Sequence, residues 1–212
     1  MRVFTKFLLL ATLLGGTVSA FAQPALYVEG THYEKIANPV RTADPNKIEV
    51  TEIFWYGCPH CYAFEPLISS WEEKLPSDVA FVRSPGMWNA TMRVHAQIYY
   101  AAEALGVREK MHSIIFNEIH QKQNYLQTAD AVKAVFVREG VSADDFDKAW
   151  NSFSVSSAVN RADTRMKAYK VSGVPSMVVN GKYLVSAGGA VTTQADLLKI
   201  VDFLVQKERS DS

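Results

Sequence analysis

Cys58 and Cys61 are the only cysteines in this 212-residue chain, and they stand close together in the run Glu52-Ile53-Phe54-Trp55-Tyr56-Gly57-Cys58-Pro59-His60-Cys61. Two thiols at that spacing can cycle between dithiol and disulfide, and the attacking species in such exchange is the thiolate. The useful question is therefore what would make one of them acidic. Pro59 marks a helix start, because proline at the first helical position gives up an N–H that would have no partner there. Cys58 then sits at the cap, where unpaired N–H groups and the helix dipole favour an anion. His60 adds a donor or a positive charge in the same turn. Cys61, one turn further in, is expected to be more buried and less acidic. For each pKa unit by which Cys58 lies below ambient pH, the reduced form gains ~1.4 kcal/mol, or about 30 mV in a two-electron couple.

Two other uses of the pair are weaker on physical grounds. A structural bridge across so short a loop would remove little chain entropy. A structural zinc needs four ligands, and His32, His95, His112 and His120 fall at no ligand spacing. Redox chemistry is the expectation, with no metal and no cofactor beyond the cysteine pair itself.

The start of the chain points to an oxidising compartment. Arg2 and Lys6 precede an apolar run from Phe7 to Leu14, and Ala20-Phe21-Ala22 has the small-x-small form of a cleavage site. Residues 1–22 thus read as an export signal, too short to span a bilayer as a helix. Its removal leaves 20 basic against 22 acidic residues, a net charge of −2. There is no basic surplus to attract nucleic acid or an anionic membrane surface.

The elements that must position the cysteines follow from periodicity. Tyr27–Glu29 is a candidate edge strand. Lys47–Tyr56 reads as a buried strand, with Glu52 an acid in the otherwise apolar row Ile48, Val50, Phe54, Tyr56. A helix from Pro59 towards Leu75, kinked at Pro66, and a strand at Val79–Arg83 complete a βαβ unit, expected to cross over right-handed. Five helical segments follow without a strand: Thr91–Leu105, Val107–His120, Thr128–Glu139, Ser142–Trp150 and Ser156–Val171. Strand character returns at Pro175–Val179. Asn180-Gly181 signals a hairpin into Lys182–Val185, and Thr193–Lys207 is a terminal helix. The order implies an α/β domain interrupted by an all-α insertion.

Cys58-Pro59-His60-Cys61, the following Tyr62, Phe64 and Glu65, Ala149-Trp150-Asn151-Ser152-Phe153, Gly173-Val174-Pro175 and Val179-Asn180-Gly181-Lys182-Tyr183 together resemble the DsbA family of periplasmic thiol:disulfide oxidases. The resemblance spans essentially the whole mature chain. It implies a thioredoxin fold with an inserted helical domain: a thioredoxin-like part at 23–87, the insertion at 88–165, and a second thioredoxin-like part at 166–212. It also implies roles. Cys58 would be the exposed nucleophile, Cys61 its buried partner, and Pro59 and His60 the residues that tune them. Pro175 would be a cis-proline presenting the Val174 backbone to an extended substrate, with Met87 and Trp88 a groove edge. Glu52 has two readings, a solvated edge-strand acid or a buried carboxyl that exchanges a proton with Cys61. Glu65 reads as a surface modulator. Arg83 aligns where the family often has a lysine, and arginine, which stays charged, makes a poor proton relay.

The implied activity is oxidation of exported proteins in the periplasm by a monomer, which a DsbB-like quinone-linked membrane protein then reoxidises. A reductase or isomerase, and a holdase without redox chemistry, are the alternatives.

Overall fold

Residues 48 to 54 are the axis of the molecule, because every residue in that stretch after the first is buried. The computed structural model describes residues 26–211, so the expected export signal lies outside the described residues. In chain order the elements are β1 (Glu34–Lys35), β2 (Ile48–Phe54), α1 (Pro59–Glu72), β3 (Val79–Pro85), α2 (Ala90–Ala104), α3 (Arg108–His120), α4 (Ala129–Arg138), α5 (Ala143–Trp150), α6 (Phe153–Ala168), β4 (Ser176–Val179), β5 (Tyr183–Ser186) and α7 (Gln194–Ser210). The sheet order is β1-β5-β4-β2-β3. Among the described strands only β2 and β3 pair in parallel; β4 joins the other side of β2 antiparallel, so β2 is an interior strand held from both sides.

Both faces of the sheet are covered, which is why β2 carries apolar residues on each. Val50, Met177, Val179 and Val185 pack against Phe64 and Ile68 of α1 and against Leu197, Val201 and Leu204 of α7. Ile53, Val178 and Leu184 face the other way, against Met166 of α6, Tyr169 and Val171. The hairpin between β4 and β5 turns at Asn180 and Gly181, both with positive φ. A side chain at Gly181 would strike the Val40 carbonyl, so glycine is required there on two counts.

The helices α2 to α6 follow one another without an intervening strand, in line with their periodicity. Asn89, Thr128, Ser142, Ser152 and Thr193 each cap a following helix through the side-chain oxygen, at about 1 kcal/mol apiece. The cap at Ser152, whose Oγ accepts the Val155 N–H, starts α6 three residues before the expected Ser156. The edge strand is also displaced. Gly30, with φ 77°, turns the chain back on itself, so Glu29 makes only an isolated bridge to Tyr33 and the edge strand is Glu34–Lys35, paired with β5.

The helical block closes over one end of β2. Phe54, Tyr56, Cys58 and Cys61 share an apolar cluster with Ile98, Tyr99, Ile115, Phe116 and Phe136. The cysteine pair thus sits at the seam between sheet and helices.

Candidate active site

Cys58 is the N-cap of α1, with extended backbone, and Pro59 is the first helical residue. The turn that delivers it, Trp55 to Cys58, closes with the Cys58 N–H donating to the Trp55 carbonyl at 2.9 Å. The Cys61 N–H donates to the Cys58 sulfur at 3.4 Å. Both cysteines are free thiols. The Cys58 pKa falls to about 6: a hydrogen bond from the Cys61 thiol lowers it most, burial opposes, and the backbone N–H groups of Cys61 and His60 and the His60 charge add to the fall. Cys61, with no exposure, is pushed strongly upward by burial first, then by its hydrogen bond to Cys58 and the Cys58 charge beside it. One sulfur is thus set to carry charge at neutral pH and the other to hold its proton. Cys58 is less open than expected, at 7% exposure, because the helical block and the loop before β4 close around it.

That loop supplies the opposite wall. The Val174–Pro175 peptide bond is cis, and the Cys58 thiol lies 3.6 Å from the Val174 carbonyl oxygen, to which it donates. The Ser176 hydroxyl, bonded to the Gly173 carbonyl at 2.8 Å and to Ser186 at 3.1 Å, holds the loop to the sheet. His60 is exposed; its carbonyl accepts a hydrogen bond from Gln194 at the start of α7.

Behind Cys61 lies a buried acid. Glu52 has no exposure, and the parallel register sets it directly beside Arg83 of β3. Arg83 reaches two carboxylates, with Nε 3.4 Å from Glu52 and a bond of 3.0 Å to Glu72. Burial first, then the Glu65 charge, raises the Glu52 pKa to about 8 against the pull of Arg83. Among the described residues, the buried side-chain polar atoms without a hydrogen-bond partner are both Glu52 oxygens, Glu65 Oε1, Arg83 Nε and His112 Nε2. All five belong to this one cluster. A cleft of about 410 Å³, lined by Glu65, Glu72, Arg83 and His112, opens beside it. Of the two readings of Glu52, the solvated edge-strand acid is excluded by its full burial on an interior strand.

Comparison with known proteins fits this geometry. A DSBA-like thioredoxin domain family matches residues 68–199. A Pseudomonas aeruginosa thiol:disulfide interchange protein DsbA is 41% identical over 211 residues, covering 98% of this chain and 96% of the relative. One from Azotobacter vinelandii is 43% identical over 198 residues, covering 92% and 91%. The crystal structure of Pseudomonas aeruginosa DsbA superposes with a TM-score of 0.83 at 41% identity, over 87% of this chain and 96% of that one. For the oxidoreductase DsbA from Xylella fastidiosa the TM-score is 0.82 at 32% identity, over 87% and 99%. The chain belongs to the DsbA family.

The remaining expected residues of this DsbA-family chain divide in two. Met87 is buried against Met166, whereas Trp88 is 45% exposed. The Trp88 ring and the Val174 side chain both close over Gly86, so of the two only Trp88 offers surface next to the Val174 wall. Glu65 is not the surface residue expected. It is mostly buried, 3.2 Å from His112 Nε2. Sequence reasoning passed over Glu72 and His112. Cys61, Glu65 and Glu72 share one stripe of α1, at i, i+4 and i+11, a pattern that could have drawn Glu72 in. His112 comes from α3, and nothing local to it points to the cluster. Its Nδ1 lies 2.9 Å from the Tyr56 hydroxyl.

Proposed function

We propose that this chain is a thiol:disulfide oxidoreductase that donates a Cys58–Cys61 disulfide to exported proteins. The observation that carries the reading is the asymmetry of the pair: Cys58 with a pKa of about 6, Cys61 buried and strongly raised. A substrate thiolate attacks the Cys58 sulfur, the Cys58–Cys61 bond breaks, and Cys61 leaves and takes up a proton. Glu52, protonated at neutral pH by its own raised pKa, is the nearby source. A second substrate thiolate then attacks the substrate sulfur of the mixed disulfide. The new substrate disulfide departs and Cys58 is released as thiolate, the better leaving group for its low pKa. The substrate has lost two electrons, and the protein holds them as its dithiol.

The low Cys58 pKa stabilises the reduced form and so makes the disulfide oxidising, an effect for which the DsbA family is a standing example. At pH 7 a pKa of about 6 favours the thiolate about tenfold and lifts the potential by about 30 mV. Pro59 starts the helix that caps the thiolate, and His60 adds its charge. Val174, ahead of Pro175, offers backbone to an extended substrate by strand addition, with Trp88 beside it and Met87 beneath.

The same reading places the mature protein in the periplasm as a monomer, with no cofactor beyond the cysteine pair and no nucleic-acid partner. A quinone-linked membrane oxidase of the DsbB type would return it to the disulfide form. It also divides the chain into a thioredoxin-like unit, 23–87 and 166–212, and a helical insertion, 88–165. The second boundary falls inside α6, whose Val159 and Ala162 pack on α2 while Met166 packs under the sheet.

Equilibration of the Cys58–Cys61 couple with glutathione tests the direction of the reaction. An oxidising potential well above that of thioredoxin, about −270 mV, is expected. A thioredoxin-like value would turn the assignment to a reductase. Cys58→Ser should fail to restore exported disulfide proteins in a strain lacking its oxidase; full restoration by that variant would leave only the holdase.

A further inference from the structure

A cavity of about 720 Å³ borders the chain next to Cys58, Val174 is not part of its lining, and no step of the exchange uses it. Gly57 and Pro59, the two chain neighbours of Cys58, form its near wall. Its far wall is the loop between α3 and α4, which carries Gln123, Tyr125 and Gln127. Anything bonded to the Cys58 sulfur therefore has this cavity within reach of its next few residues, at roughly 3.3 Å per extended residue.

The far wall is held in an unfavourable backbone conformation. Gln123 and Leu126 both have positive φ, 57° and 49°. For a residue such as leucine that costs about 1–2 kcal/mol, and such strain persists only where the surroundings impose it. Here they do. The Leu126 side chain is buried in the helical core, and the Asn124 amide groups bond Glu118. Buried His95 accepts from the Trp55 indole at 2.9 Å through Nδ1 and therefore donates through Nε2 to the Tyr125 carbonyl at 3.0 Å. The result of this anchoring is that the Tyr125 ring stands 58% exposed at the rim.

The lining also specifies an occupant. It contains no Asp, Glu, Lys or Arg. Both His95 nitrogens are engaged within the protein, and His120 is bonded to the Tyr56 carbonyl and stacked on Tyr62, with ring centroids 4.8 Å apart. A charged side chain would find no counter-charge there and would lose hydration. Ring faces and edges from Trp55, Tyr125 and the two histidines instead suit another ring.

We infer that this cavity is a substrate subsite for an uncharged aromatic side chain lying a few residues from the reacting cysteine of the polypeptide. The inference rests on the disulfide-exchange reading above and adds a sequence preference to it. Unfolded chains expose such rings and folded ones bury them, so the subsite also biases the reaction towards unfolded substrates.

The test is the rate at which the oxidised protein reacts with single-cysteine peptides, identical except for Tyr, Ala, Glu or Lys two residues before or after the cysteine. On one of the two sides the Tyr peptide should outpace the Ala peptide by about threefold to tenfold, the range of aromatic pair energies, with Glu and Lys no better than Ala. Tyr125→Ala should bring the Tyr-to-Ala ratio close to one, and Tyr125→Phe should keep it. Equal rates for Tyr and Ala peptides in the parent protein, or a ratio that survives Tyr125→Ala, would overturn the subsite. Failure of the parent protein to oxidise dithiothreitol would instead overturn the exchange reading on which it rests.

Discussion

Arg83 Nε lies 3.4 Å from Glu52 Oε2, inside ion-pair distance, without donating a hydrogen bond to it. The guanidinium's good bond goes to Glu72 instead, at 3.0 Å. Glu52 therefore keeps the raised pKa that burial and Glu65 impose, about 8, although a cation stands beside it. A charge nearby is not the same as a charge paired.

The sign of the pH effect follows. Folded Glu52 binds its proton up to about pH 8, whereas unfolded Glu52 releases it near pH 4.5. Between those values the folded state holds more protons, so this residue costs stability progressively as pH rises, and the cost levels off above pH 8. Glu52→Gln should be more stable than the parent at pH 7, by on the order of 2–3 kcal/mol, and the gap should close towards pH 4.5. Urea unfolding of the reduced proteins at the two pH values measures it. A gap independent of pH would mean that Glu52 is ionised in the fold.

For Cys58 the direction is opposite. Its folded pKa, about 6, lies below the unfolded value, so the stabilisation of the reduced protein is complete above the unfolded pKa and is lost as pH falls through 6. Alkylation of reduced protein by iodoacetamide should titrate with a midpoint near 6. The Cys61 thiol is the largest source of the shift and the His60 charge the last. Cys61→Ala should therefore move the midpoint up further than His60→Ala does. The reverse ranking would assign the acidity to His60.

Much of this was legible in the chain. The cap position of Cys58 followed from Pro59, and Glu52 stood out as an acid in an apolar row, which a strand buried on both faces makes anomalous. Periodicity placed the helices because it is local to each segment, while the Ser152 cap that starts α6 three residues early went unread. What escaped depends on distance in sequence. His112 reaches the acid cluster only because α3 folds across the end of β2. Glu65 looked exposed because α1 alone does not reveal that the helical block covers that stripe. The cavity beside Pro59 is assembled from three separate stretches of the chain, and no one of them announces it.

His112 joins the two sides of the seam, with Nδ1 2.9 Å from the Tyr56 hydroxyl and Nε2 3.2 Å from Glu65. Its ring also packs edge-on against Phe54 and Phe116. His112→Phe would keep that packing but strand a buried hydroxyl, at a cost of about 1–3 kcal/mol. Adding Tyr56→Phe removes the stranded group, so the double variant should recover part of the loss. Denaturant midpoints of the four proteins close the cycle. Strict additivity would show that the hydroxyl–imidazole contact contributes nothing.

Gly57 makes the turn ahead of Cys58 possible for a reason specific to its neighbour. A Cβ built there would stand 2.3 Å from the Trp55 ring, which lies over the glycine and donates its indole N–H to His95. Gly57→Ala must push that ring aside, breaking the bond to His95 and shifting the wall of the cavity beside Pro59. The expected cost is about 1–3 kcal/mol, the usual range for overpacking, with a change in tryptophan fluorescence as the indole moves. The clash predicts its own remedy. In a Trp55→Ala background the ring is gone, so Gly57→Ala should add little further loss of stability. If the second substitution costs as much there as in the parent, the turn rather than the tryptophan demands glycine at position 57.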